Sequence, residues 1–155
     1  MVAAASALFL SGCGVTPSAG DNSTAEVMTP VIQNAEDIIK LFEGKGLPVS
    51  DIKTVTAADD SNQLLGRPGQ YTSKLFFYDS RHPKVEESDE NENTIEVFNS
   101  AEDAKARHDY IKSVTKGVAF LTQYQLLQGR VLVRLDKAML PDEVEGYKAA
   151  LATID

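Results

Sequence analysis

One cysteine, two histidines and no tryptophan occur in the 155 residues, and each shortage excludes something. A lone thiol, Cys13, closes no disulfide within the chain, so stability has to come from a packed core. A Ser-His-Asp site would have to use His82 or His108, and no Gly-x-Ser-x-Gly elbow accompanies either. The same pair is too sparse for a zinc site, whose ligands come in converging sets. Basic residues are short as well: 15 Lys and Arg stand against 23 Asp and Glu, for a net charge of −8. Nucleic-acid binding needs clustered cations that displace counterions, so no nucleic-acid partner is expected. Adhesion of the protein surface to anionic head groups is disfavoured for the same reason. Nor is there a nucleotide loop. Gly44-Lys45-Gly46 and Gly66-Arg67-Pro68-Gly69 put glycines beside a cation but lack the Gly-x-x-x-x-Gly-Lys-Ser/Thr frame, and no cofactor is expected.

What the chain does have, at its start, is an uncharged apolar stretch from Val2 to Leu10, too short to span a bilayer, followed by Ser11-Gly12-Cys13. A short apolar segment ending in small residues is the pattern of a secretory signal. Leu10-Ser11-Gly12-Cys13 resembles the lipobox of bacterial lipoproteins, which implies a diacylglyceryl group on the Cys13 thiol and cleavage before it. Residues 1–12 are therefore read as signal peptide. Met1-Val2-Ala3 carries none of the usual basic charge, so the first residue is read as internal to a longer signal. The expected location is the outer face of the cell membrane, with lipid as the membrane contact; two acyl chains suffice for stable anchoring.

Residues 13–29 are poor in large apolar side chains and read as a flexible tether. Residues 30–155 read as one domain, of ordinary size for a single core. A helix is expected to open at Thr29-Pro30 and carry Val31, Ala35, Ile38, Ile39 and Phe42 inward until Gly44 and Gly46 stop it. Strands are expected at Ile52–Val55, Tyr71–Tyr78 and Thr94–Phe98. Ser100 caps a second helix with Ala101, Ala104, His108, Ile111 and Val114 along one face. A hairpin turns at Gln128-Gly129, and Leu140-Pro141 opens a last helix with Val144, Tyr147 and Leu151 inward. Hairpins mixed with isolated helices predict an α+β domain, an antiparallel sheet of about four to five strands with helices packed on one face.

Ala57 to Lys74, with its Leu64-Leu65-Gly66-Arg67-Pro68 core, resembles a segment of uncharacterised lipoproteins of high-GC Gram-positive bacteria. Ile95-Glu96-Val97-Phe98 and Gly129 to Arg134 fit the same pattern, so the resemblance runs from about residue 32 onward. It implies location and fold and carries no activity.

Two clusters merit a chemical reading. Asp89-x-Asn91-x-Asn93 spaces three oxygen donors as a calcium loop does, but Thr94 and Ser100 stand where Gly and Glu are required, so no metal is expected. Pro68-Gly69 fits a type II turn, around which Arg67, Gln70, Tyr71 and Lys74 gather as a candidate recognition surface. The competing reading has Arg67 paired with a carboxylate and Tyr71 packed at the sheet edge. The expected function is a non-enzymatic binding module with a protein or cell-envelope partner. The alternative is a cell-envelope hydrolase or other small enzyme with a site assembled from scattered residues.

Overall fold

A computed structural model describes residues 31–154 apart from the Phe120 side chain. The lipobox with Cys13, the tether and the Thr29-Pro30 cap lie outside the described residues. The elements are α1 (Ala35–Gly44), β1 (Val49–Thr54), β2 (Ser73–Asp79), β3 (Asn93–Val97), α2 (Ala101–Thr115), a 3-10 turn at Ala119–Leu121, β4 (Gln123–Gln128), β5 (Val131–Asp136) and α3 (Pro141–Leu151). The strands form one antiparallel sheet ordered β1-β2-β3-β5-β4, and the domain is α+β as its element order predicts. Among the described residues no helix is long and apolar enough to cross a membrane.

Alternation divides the sheet into two unlike faces. Leu75, Phe77, Ile95, Val97, Val131, Val133 and Leu135 point to one side, where they pack with α1 and α3 into the main core. Phe42 of α1 and Tyr147 of α3, both fully buried, meet edge to face at 4.9 Å between ring centroids. Asn34 caps α1 by accepting from the Asp37 amide, while the Asp37 carboxylate accepts from the Asn34 amide. The helix thus starts later than Thr29-Pro30 would place it, and Val31 is 78% exposed instead of joining the apolar stripe.

Helices are expected on one face, and α1 and α3 take it. α2 lies across the other, where Ala104 and Ile111 pack with Tyr71, Phe98 and Leu132 in a smaller cluster. Its inward stripe is shorter than expected: Ala101 and Val114 are exposed and His108 is half-buried. The reason is position, since α2 packs over β4 and β5 at one end of that face and leaves the rest open. The hairpin turn is Gly129-Arg130, one residue later than expected, with Gln128 paired to Val131 and Gly129 at φ 50.

Candidate functional site

The open part of the second face is floored by side chains that the strand pattern places there: Lys74 and Phe76 of β2, Thr94 of β3, Arg134 of β5 and Gln123 of β4. Two loops rise beside it, one carrying Asp59, Ser61 and Asn62, the other Asp89 and Glu92. The resulting polar groove encloses about 440 Å³. Through Lys53, Phe76, Asp89 and Glu92 it continues into a neighbouring hollow of about 470 Å³ that reaches Tyr78 and Lys84.

Its floor charges are paired within the chain. Lys74 is only 2% exposed and its Nζ lies 3.4 Å from Asp60 Oδ1. Asp60 also accepts from the Tyr71 hydroxyl at 2.7 Å and from the backbone amides of Leu64 and Leu65 at 2.8 and 3.0 Å. Burial works against the Asp60 carboxylate, but those hydrogen bonds and the Lys74 charge outweigh it and hold its pKa well below the usual range. Burial and the same carboxylate push the Tyr71 phenol up. Lys74 also stands over the Tyr71 and Phe76 rings, at 5.3 and 4.8 Å from their centroids.

Beside this group, Glu96 is fully buried with Arg107 Nη2 at 3.3 Å and Arg134 Nη2 at 3.6 Å. Arg134 donates to Gln123 Oε1 at 3.2 Å, and burial lowers its pKa. Glu92, on the acidic loop, is raised by burial and by Asp89, with the Tyr78 hydroxyl 3.5 Å away. Tyr78 is itself pushed up to about 12 by burial and by Glu92. The groove therefore offers balanced charges, amides and hydroxyls, with one half-buried aromatic ring, Phe76. That lining suits recognition by hydrogen bonding more than capture of a strongly charged ion.

The four residues expected to form one recognition surface do not. Pro68-Gly69 makes the type II turn, with Gly69 at φ 73 and the Gln70 amide donating to the Arg67 carbonyl. Arg67 is exposed there and Gln70 half-buried. Tyr71 and Lys74, however, are core residues, a correction caused by Asp60: its buried carboxylate draws both polar ends inward. Arg67 borders a hollow made by residues 57–65, whereas Gln70 borders another against Arg107 and Tyr110 of α2. Lys74 does reach the groove floor, from the other side of the loop.

Neither histidine borders the groove. His82 Nε2 sits 2.7 Å from Glu143 Oε2, and Glu143 also accepts from the Leu140 amide at the start of α3. Arg81 bridges Glu143 to the buried Asp79, which accepts from the Tyr147 hydroxyl at 2.8 Å. This cluster ties the end of β2 to α3 and borders none of the hollows described above. His108 Nδ1 lies 3.0 Å from its neighbour Asp109. On the acidic loop, the Asn93 amide donates to Phe77 and Asn91 carbonyls, and its oxygen accepts from the Asp136 amide. Among the described residues no three His, Cys, Asp or Glu side chains could hold a metal ion.

Glu96, Arg134 and Gln123 belong to no chemical motif in the sequence. A signal is present for the first two: Ile95-Glu96-Val97 and Val133-Arg134-Leu135 each set one charge between two apolar strand residues. Charges on that alternate face require partners, and the partners mark the groove.

The fold and groove define an α+β domain with an open polar sheet face. No family model matches the chain, no curated protein matches it, and no solved structure matches it.

Proposed function

We propose that this chain is a binding module without chemistry of its own, held at the outer face of the cell membrane by lipid on Cys13, and that the polar groove takes its ligand. The observation that carries this reading is the internal pairing of the groove's floor: Lys74 with Asp60 and Arg134 with Glu96. Cations already neutralised in this way make a rigid, charge-balanced platform, and among the described residues the one His–carboxylate contact between separate elements, His82 with Glu143, lies elsewhere. The partner is a protein or cell-envelope molecule, and loops 59–62 and 89–92 select it by their amides and carboxylates. The resemblance to lipoproteins of high-GC Gram-positive bacteria supports the location.

Affinity capture from the native envelope tests the reading, using the full chain, a Lys53→Glu/Asp59→Lys variant and Arg67→Ala. All three altered side chains are exposed, but Asp59 also accepts from the Thr56 amide and hydroxyl, so thermal melts of each variant accompany the capture and only a variant that melts like the wild type is scored. The groove variant should lose the partner and Arg67→Ala should keep it. The reverse pattern would move the binding face to the Pro68-Gly69 turn. No partner with any form, but turnover of an envelope substrate by the chain, would replace the module with the hydrolase.

Anchoring is tested separately. Cys13→Ala should move the protein from the membrane fraction to the soluble fraction, as seen by fractionation and blotting. Full retention on the membrane would defeat the anchor.

A further inference from the structure

We propose that β4 is the interface of a two-fold homodimer, in which the β4 strands of two chains pair antiparallel about Gln125 and join the two sheets. Hydrogen-bond parity leaves one row of β4 backbone groups facing outward. Across the two-residue turn, Gln128 and Val131 form a mutually bonded pair, so Tyr124 and Leu126 also bond into β5. The amides and carbonyls of Gln123, Gln125 and Leu127 then point out from the sheet edge, and none has a backbone partner among the described residues.

The two sheet edges are treated differently. β1 is blunted: its pairing shifts between Ser50 and Lys53, Asp51 sits at φ 46, and Asp51 and Lys53 place charges along it. Bulges and charges of this kind keep an edge from pairing with other chains. β4 has neither. Its sequence, Gln-Tyr-Gln-Leu-Leu-Gln, is uncharged and its register with β5 is unbroken from end to end. In a chain of net charge −8, an edge free of charge is the place where two copies meet with least repulsion.

The edge is also complementary to itself. A dyad at Gln125 sets Gln125 opposite Gln125 of the second copy and Gln123 opposite its Leu127, which engages every outward amide and carbonyl of those residues. Tyr124 and Leu126, which pack on the main core, then face each other across the axis and continue that core from one chain into the next. On the opposite face the two Gln125 side chains meet.

Sedimentation velocity of the full chain across concentration should show a species of twice the 16.8 kDa chain mass. Added salt should strengthen it by screening the like charges. Leu127→Lys places a cation on the edge at a residue already 37% exposed. It should weaken the dimer at least about tenfold, because the symmetry counts each change twice. The melting curve of the dilute variant should match the wild type. Hydrogen exchange supplies a residue-level readout. The amides of Gln123, Gln125 and Leu127 should gain protection as concentration rises, while those of Tyr124, Leu126 and Gln128 stay protected throughout. A monomer at every concentration would overturn the proposal. So would a dimer that tolerates Leu127→Lys, or one lacking the alternating protection, since either would use another surface. Pairing of this edge only with a different protein's strand would overturn it too.

Discussion

Asp60→Ala should destabilise the domain by about 3–5 kcal/mol, more than any other polar substitution in the loops. The carboxylate is the shared partner of the Lys74 ammonium, the Tyr71 hydroxyl and the Leu64 and Leu65 amides. Removing it leaves Lys74, 2% exposed, as a buried charge without a counter-ion. Removing only the phenol hydroxyl by Tyr71→Phe should cost far less, ~1–2 kcal/mol. Thermal melts of the two variants make the comparison, with a drop of roughly 10–15 °C expected for Asp60→Ala. A drop equal to that of Tyr71→Phe would show that Lys74 relaxes to water and that the ion pair contributes nothing.

The acid limb gives a second readout of the same group. The folded-state pKa of Asp60 is lowered, so its contribution is complete above the unfolded value of about 3.9 and is lost as pH falls below it. Asp79 is lowered too, with burial opposing and the Arg81 and Tyr147 hydrogen bonds prevailing. Asp60→Asn should therefore flatten the loss of stability below pH ~4 without abolishing it.

The parts of the fold that could be read from sequence are those decided by neighbours along the chain. Pro141 opens α3, and Val144, Tyr147 and Leu151 turn inward, because a helix presents every third or fourth residue to one side. The alternation in β3 and β5 separates Ile95 and Val133 from Glu96 and Arg134 in the same way. Tyr71 and Lys74 depart from the sequence expectation for the opposite reason. Their burial depends on Asp60, 11 and 14 residues away, and nothing periodic connects an acidic loop residue to a strand lysine. The side taken by α2 was illegible for a related cause. Its inward residues are only Ala104 and Ile111, too few to say which face of the sheet must receive them. A polar sheet face with Glu96 at its centre accepts such a helix because Arg107 supplies what its apolar stripe does not.

Glu96→Gln tests that last statement and should have the other large effect, about 3–5 kcal/mol. The fully buried carboxylate stands between Arg107 and Arg134, and its loss sets two guanidinium groups side by side without a counter-ion. Since α2 has little apolar contact to fall back on, its amides should lose exchange protection before those of α1 and α3. Uniform loss of protection in all three helices would show that α2 is held by Tyr71, Phe98 and Leu132 alone. Apolar replacement of the whole triad, Glu96→Leu with Arg107→Met and Arg134→Met, should recover most of the stability, because the cost of burying charge disappears along with its pairing. That variant separates scaffold from site. If it folds yet captures no partner from the envelope, Arg134 reads the ligand directly in the groove. If it folds and still captures, the charges serve only to seat α2, and recognition rests on the loops above them.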